Sequence, residues 1–354
     1  MRWVIVIAML AAVSVTGSFA FAATLNVDSD HVTVDHNTLH SPALNFTLSS
    51  PSITVGEAAH GSATFTGDLL SPNGTVKYAV YSNNGCTTEY SSAGTMTVAN
   101  AVVPDSDSVT FTAAGTYYWR ATYSGDGNHQ PASSSCTAIT VNKKTPTMTT
   151  SASGPVTVGS GTITDTATLS GGYNMGGSVS FSVFAPGDTI CATPLAPPPT
   201  SATVIGDDDY TSGAFTPAAA GTYRWIASYS GDANNNAVSG NCDVANASIV
   251  DKATPAMSTS ALLLDGDTIT YTATLGGGYG TLTGSVSFSI YASDDTGCAT
   301  PLAPSPMSAT VIVGSSYSRT LEITAAGSYR WSATYDGDPN NVAVSSGCNA
   351  PPSP

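Results

Sequence analysis

The sequence predicts an all-β chain built as a tandem array of three Greek-key β-sandwiches, each with one disulfide. Three observations predict this. The stretch Gly221-Thr-Tyr-Arg-Trp-Ile-Ala-Ser-Tyr-Ser-Gly-Asp232 returns, slightly altered, as Gly115 to Asp126 and again as Gly327 to Asp338. Its tryptophans, Trp119, Trp225 and Trp331, stand at one constant interval of about a hundred residues, the size of a small domain and too long for a solenoid repeat. The cysteines follow the same period. Finally, only 9% of residues are charged, against roughly 25% in ordinary soluble domains. Gly, Thr, Ser and Val take their place, and the scarcity of Lys and Glu disfavours helix.

In chain order, Met1-Arg2-Trp3 is a short basic start, Val4 to Val13 is apolar, and Ala20-Phe21-Ala22 is an A-x-A cleavage site. Residues 1–22 therefore read as a secretory signal peptide. The rival reading is an uncleaved anchor, since the run to Ala23 is just long enough to span a bilayer. After cleavage no second apolar span remains, so a membrane-spanning mature chain is not expected. Residues 23–42 read as a polar linker with one short strand, His31-Val-Thr-Val-Asp35. His31, Asp35, His36 and His40 cluster there without the spacing of a tight metal motif, and a solvated linker is the plainer reading.

The repeats span residues 43–143, 144–251 and 252–354. Short junctions containing Pro146 and Pro255 predict a semi-rigid rod, because proline fixes φ and removes a donor. Alternation places the strands. Ile269, Tyr271, Ala273 and Leu275 share one face of a strand that ends in Gly276-Gly-Gly278. The next strand alternates Val76/Tyr78/Val80, Val179/Phe181/Val183 and Val286/Phe288/Ile290 in the three copies. A weaker strand follows near Met96 to Val98, Ala202 to Val204 and Ala309 to Val311. Another lies at Val109 to Phe111, Tyr210 to Phe215 and Leu321 to Ile323. The tryptophan strand buries Tyr117/Trp119, Tyr223/Trp225 and Tyr329/Trp331 on one face. Its Gly-Asp-x-Asn end is turn chemistry that returns the chain as a hairpin.

The cysteines pair off as Cys86/Cys136, Cys191/Cys242 and Cys298/Cys348. Internal repetition selects one bridge per repeat from the connectivities six cysteines allow. Each first cysteine lies just past the strand preceding the weak one, and each second cysteine returns to the same end along the hairpin. No C-x-x-C or recurring histidine accompanies them, which argues against a metal site. Closing a loop of this length contributes about 4 kcal/mol in the chain-entropy model.

The Ala-Gly-x-Tyr-x-Trp…Tyr-Ser-Gly-Asp-x-Asn-Asn pattern resembles the bacterial-type Ig-like repeat domains of secreted and cell-surface proteins, over residues 43–350. Its Ala-Gly-x-Tyr entry is similar to the tyrosine corner of Ig-like sandwiches. It departs from the antibody subtype, because Trp225 follows Tyr223 where those domains place a core cysteine. The resemblance implies an Ig-like fold, an extracellular or surface location, and roles as stalk, adhesin segment or spacer. It names no ligand.

Candidate chemistry is sparse. His31, His36, His40, His60 and His129 occupy no shared repeat position, and no phosphate-cradling glycine motif is present, so no enzyme is expected. A net charge of −15 excludes nucleic acid as a partner by charge. Asp207-Asp208-Asp209, Asp105-Ser-Asp107 and Asp336-Gly-Asp338 offer oxygen ligands for Ca²⁺. Repeat 3 has Ser315-Ser316 in place of the triplet, however, and Asp126, Asp232 and Asp338 suit turn capping, so no cofactor is expected. An outward aromatic closes one strand of every copy (Tyr81, Phe184, Tyr291), beside Tyr118, Arg224 and Arg330 on the tryptophan strand. Such a pair is either a cation–π platform for a glycan or a cover over the sheet edge. Asn45-Phe-Thr47, Asn73-Gly-Thr75 and Asn246-Ala-Ser248 are N-glycosylation sequons.

The expected function is a non-enzymatic secreted or cell-surface stalk, spacer or adhesion segment. Its alternative is a carbohydrate- or ligand-binding module using the aromatic and Arg face. The expected partner is an extracellular protein or glycan. The ends add a further expectation. Repeats 1 and 2 continue past their second cysteine into Ile139-Thr-Val-Asn142 and Ser248-Ile-Val-Asp251, whereas Cys348 is followed by Asn-Ala-Pro-Pro-Ser-Pro. His31 to Asp35 resembles the strand that repeat 3 lacks, which suggests head-to-tail self-association by strand addition; the alternatives are that the sequence is a piece of a longer array or that this strand pairs with repeat 1.

Overall fold

Thr, Ser and Val alternating with larger apolar residues suit pleated, half-buried ribbons. A computed structural model describes residues 25–28, 31–34, 39–67, 71–264, 267–311 and 316–348, and strands are the only regular elements among them. Residues 1–22, read as a signal peptide, lie outside the described residues, as do Asp35 and His36. The chain divides into two compact units, Met1–Lys143 and Lys144–Pro354.

The first unit opens with β1 (Leu25–Asp28) and β2 (His31–Val34), an antiparallel pair forming a sheet of its own. The linker thus holds two strands where one is predicted, because Leu25-Asn-Val27-Asp alternates as well as its partner does. Repeat 1 follows with β3 (Ala43–Leu48), β4 (Ser52–Thr54), β5 (Ala58–Ala59), β6 (Gly61–Thr66) and β7 (Gly74–Tyr81). It continues through β8 (Glu89–Val98), β9 (Val109–Thr110), β10 (Gly115–Tyr123), β11 (Ala132–Ser133) and β12 (Thr137–Asn142). Its main sheet runs β4-β12-β10-β7-β8, with β11 also on β10; β3 pairs β6, and β5 pairs β9.

In the second unit, repeat 2 comprises β13 (Thr147–Ala152), β14 (Val156–Thr157), β15 (Asp165–Ser170), β16 (Ser178–Phe184) and β17 (Ala202–Thr203). Its later strands are β18 (Asp208–Thr211), β19 (Gly221–Tyr229), β20 (Val238–Ser239) and β21 (Ala247–Asp251). One sheet is β13-β15-β18; the other is β14-β21-β19-β16-β17, with β20 on β19. Repeat 3 comprises β22 (Pro255–Leu264), β23 (Thr268–Gly277), β24 (Ser285–Ala292), β25 (Met307–Thr310), β26 (Ser316–Glu322), β27 (Tyr329–Tyr335) and β28 (Val344–Ser345). Its sheets are β22-β23-β26 and β25-β24-β27-β28. The molecule is therefore a tandem of all-β sandwiches, as the alternation predicts.

The tryptophan strands β10, β19 and β27 are the inner ribbons. Trp119 and Trp225 are fully buried, and Trp331 nearly so. Around Trp225 pack Val158, Ile163, Leu169, Phe181, Tyr210 and Tyr223. Repeats 2 and 3 touch within their unit. Tyr279 packs against the repeat 2 core and lies over Gly159, where an added Cβ would sit 2.3 Å from its ring. Gly159 has φ +80°, so both space and backbone require glycine there.

Candidate functional site

Each tryptophan strand is anchored at its entry by its tyrosine. The hydroxyls of Tyr117, Tyr223 and Tyr329 donate to the carbonyls of Ala113, Ala219 and Ala325, at 3.1, 3.0 and 2.8 Å. This is the tyrosine corner that the Ala-Gly-x-Tyr entry suggests.

The exit of the same strand is a carboxylate hub. Asp232 accepts from Tyr229 Oη at 2.9 Å, from the backbone N–H of Gly176 and Asn234 at 2.7 Å each, and from Asn235 Nδ2. Asn235 is itself buried, and it exchanges bonds with Tyr173 N and O at 2.8 and 2.9 Å. Repeat 3 repeats the arrangement, with Asp338 held by Tyr335 Oη, Asn340 N and Asn341 Nδ2, and Asn341 spanning Tyr279 N and O. In repeat 1 His129 takes the asparagine position, with Nδ1 2.8 Å from Asp126 Oδ1. Burial alone would push the Asp232 and Asp338 carboxyls up, but these donors outweigh it and hold both down at about 2. Asp126 is lowered by the same balance. The partner phenols of Tyr229 and Tyr335 are pushed up, by burial first and by the carboxylate second.

The hub loop also grips the chain entering its repeat. Lys144 N donates to Asn234 O at 2.9 Å and Asn236 N to Lys144 O at 2.7 Å. Ala253 is held between Asn340 O and Val342 N, both at 2.9 Å, and His40 between Asn128 O and Gln130 N, both at 2.8 Å. Turn capping is thus only part of what Asp126, Asp232 and Asp338 do. The sequence signal for the clamp was the polar pair after Gly-Asp: Asn128-His129, Asn234-Asn235 and Asn340-Asn341.

The structure joins Cys86 to Cys136, Cys191 to Cys242 and Cys298 to Cys348, with Cα–Cα distances of 6.1, 5.8 and 5.7 Å. All three first cysteines are left-handed, with φ of 49°, 54° and 52°. A side chain placed three residues earlier holds that turn. Asn83 Oδ1 accepts from Thr87 and Thr88, Asp188 from Ala192 and Thr193, and Asp295 from Ala299 and Thr300. Those backbone donors lower the Asp188 and Asp295 carboxyls. Sequence reasoning missed this support, although Asx three residues before every first cysteine was its trace.

Of the two readings of the aromatic pair, the cover fits repeats 2 and 3, and Phe184 and Tyr291 are not the outward residues the alternation suggests. Register does place Tyr81 opposite Tyr118, Phe184 opposite Arg224 and Tyr291 opposite Arg330. Phe184 and Tyr291 are nevertheless buried, at 4% and 8% exposure, and only Tyr81 is half-buried. The disulfide loop folds back over the strand end. Leu195 N bonds Val183 O and Leu302 N bonds Ile290 O, both at 2.8 Å, while Pro194 bridges to Phe184. Arg330 Nε donates to Ser293 O at 2.9 Å. In repeats 2 and 3 the pair is a cover over the sheet edge.

The acidic triplet also diverges. Asp207 accepts from Gly171 N, Asp208 from Asp209 N, and Asp209 from Thr168 Oγ1. Among the described residues no three His, Cys, Asp or Glu side chains gather as metal ligands. Of the sequons, Asn45 and Asn73 are exposed, whereas Asn246 and Ser248 are buried, at 6% and 0% exposure. A glycan on Asn246 is incompatible with a closed repeat 2.

No protein-family model and no curated protein matches the chain. Among solved structures it is similar to the fibronectin(III)-like modules of Clostridium thermocellum CbhA, at 20% identity and a TM-score of 0.21, over 58% of this chain and 94% of that one. The chain has an Ig-like β-sandwich plan by its own sheet topology, and it carries three disulfides of the kind found in extracellular proteins. Among the described residues no helix is long and apolar enough to cross a membrane.

Proposed function

We propose that this chain is a non-enzymatic, secreted or cell-surface repeat protein of bacterial type, whose sandwiches act as a stalk, spacer or adhesion segment. The observation that carries this reading is the clamp at each hub. The segment entering a repeat is tied by two backbone hydrogen bonds to the loop that Asp126, Asp232 or Asp338 organises. A spacer needs a fixed joint, and within the second unit the backbone clamp on Ala253 supplies one between repeats 2 and 3, while His40 and Lys144 are held in the same form inside their own units. Lys252 adds a bond from Nζ to Asp338 O at 2.7 Å. The disulfides and the signal-like residues 1–22 support export.

Small-angle scattering of the mature protein tests the joint. Asp338→Ala should broaden the distance distribution of the second unit, with the repeat 3 disulfide intact. An unchanged distribution would remove the clamp as the basis of a spacer. Labelling of intact cells with antibody to the mature chain should be positive, and signal only after lysis would overturn the location. Glycan-array binding lost on Tyr81→Ala would favour the carbohydrate-binding reading instead.

A further inference from the structure

The clamp of repeat 1 differs from the other two in the side chains it brings together. His40 bridges His129 in the same parallel fashion as Lys144 bridges Asn235 and Ala253 bridges Asn341. Residues directly opposite one another across a bridge are neighbours on one face. A histidine therefore meets a histidine in repeat 1, where repeats 2 and 3 pair Lys with Asn and Ala with Asn. The two rings stand with centroids 5.7 Å apart and planes tilted by 40°. His40 is half-buried, whereas the His129 side chain is 1% exposed.

The hub behind His129 fixes which of its nitrogens carries the proton. Asp126 Oδ1 accepts from Asn128 N at 2.7 Å and lies 2.8 Å from His129 Nδ1. Its Oδ2 accepts from Asn73 N at 2.8 Å and from Tyr123 Oη at 3.1 Å. Burial pushes this carboxyl up, but the donors outweigh it and hold it well below the ordinary carboxylate range. An ionised carboxylate only accepts, so Nδ1 is the N–H, and Nε2 of the neutral ring carries a lone pair. That Nε2 is buried and has no hydrogen-bond partner among the described residues. Asn235 and Asn341, at the same place, spend their side chains on the backbone of Tyr173 and Tyr279. His129 keeps the bond to the hub and leaves its outer nitrogen for something else.

A carboxylate on one imidazole nitrogen and a lone pair on the other is the arrangement of a metal-bound histidine. His40 supplies a second imidazole. Two imidazoles on one zinc ion, with Zn–N about 2.0–2.1 Å and a tetrahedral angle, set their ring centroids about 5 Å apart. The observed 5.7 Å closes with a small turn of the half-buried His40. Imidazole ligands select zinc and its transition-metal neighbours over Ca²⁺ and Mg²⁺, which take oxygen. With two side-chain ligands, water completes the coordination.

We propose that His40 and His129 form a two-histidine site for Zn²⁺, with Asp126 orienting His129 from behind. The ion ties the segment entering repeat 1 to the hub loop through side chains, on top of the backbone clamp. This goes beyond the spacer reading and does not depend on it.

Titration of the metal-free mature protein with Zn²⁺, followed by calorimetry, tests the site. One ion should bind per chain, and the melt of the first unit should rise with zinc and fall back with EDTA. His129→Asn introduces the residue type that repeats 2 and 3 use there, and His40→Ala the type of Ala253. Each should keep the zinc-free melt and weaken zinc binding at least tenfold. His31→Asn combined with His36→Asn, in the same entering segment, should leave binding unchanged. In ¹⁵N spectra zinc should shift His129 Nε2 and leave Nδ1 protonated. Zinc that does not move the wild-type melt would overturn the proposal. So would binding that survives either His129→Asn or His40→Ala, or binding that is lost with His31 and His36. If His129→Asn lowers the zinc-free melt, His40→Ala decides.

Discussion

Repeats 2 and 3 share one compact unit and pair their tryptophan strands alike with the strand before, yet they fill the position beside the core tryptophan by opposite means. Tyr271 of β23 packs on Trp331 with ring centroids 4.3 Å apart. The matching residue of β15 is Asp165, fully buried, whose Oδ2 accepts from Asn246 Nδ2 at 3.2 Å. Repeat 1 offers a third solution: Gly61 stands there, and the ring of Phe46 fills the space, stacked 6.2 Å from Trp119. An added Cβ on Gly61 would lie 2.3 Å from that ring. The fold thus requires the volume to be filled and leaves the chemistry free. Among the described residues, repeat 2 alone places a carboxyl at this position, with Asp165 Oδ1 and Asn246 Oδ1 both buried and unpartnered.

The largest expected effect tests how far the two repeats stand or fall together. Trp225→Ala removes a fully buried ring and should cost about 3–5 kcal/mol. Because Tyr279 of repeat 3 packs on the repeat 2 core, calorimetry should show the whole transition of residues 144–354 moving down, with that of the first unit unchanged. Trp331→Ala, at a slightly less buried ring, should cost about 3 kcal/mol, the lower end of that range. Loss of a repeat 2 transition with repeat 3 melting as before would show the two to be independent.

Much of this was legible in the sequence, because repetition supplied its own control. Three tryptophans at one interval and three cysteine pairs in phase located the sandwiches, and alternation located the strands. The sequence left the aromatic face open between platform and cover for a physical reason. Alternation tells which side of a sheet a residue faces, but not whether a loop folds over that side, and Phe184 and Tyr291 lie beneath the disulfide loop. The clamp was missed because it is made of backbone groups, which no residue type at His40, Lys144 or Ala253 reports. The Asp165–Asn246 pair needed the fold, since the two residues are far apart in the chain and each alone reads as surface.

The second prediction uses pH to separate the repeats. Burial pushes the Asp165 carboxyl up to about 6, only partly offset by the Asn246 bond. The folded form then binds a proton more tightly than the unfolded chain, whose ordinary value is 3.8. Its contribution is fully present below that value and is lost as pH rises through about 6. Asp232 and Asp338, held at about 2, work in the opposite sense: their contribution is present above the ordinary carboxylate range and is lost as pH falls toward 2. The second unit should therefore melt highest in mildly acid solution and lose about 2 kcal/mol toward neutrality. Asp165→Asn should abolish the decline on the neutral side and keep the one on the acid side. A neutral-side slope that survives the substitution would mean the group is not Asp165.

The smallest expected effect concerns the tryptophan N–H itself. Trp225 Nε1 donates to Ser248 Oγ at 3.2 Å, inside the core. Repeat 1 has Ile139 at that place on the closing strand, and Trp119 Nε1 is buried with no partner. One repeat therefore satisfies its indole and the other trades the bond for aliphatic packing on the same strand. Ser248→Ala leaves the repeat 2 indole as bare as that of repeat 1 without adding the packing that offsets it there. A buried donor left unpaired costs about 1–2 kcal/mol. The same hydroxyl is hydrogen-bonded to Ser153 Oγ at 3.3 Å, and the substitution removes that bond too. Urea titration of the mature protein should show the stability of the second unit falling by that amount, through a lower midpoint with its slope unchanged. Ser248→Val restores the aliphatic packing that Ile139 provides and should recover part of the stability. If Ser248→Ala is silent, the indole finds another acceptor, and satisfying it is not what serine contributes to this core.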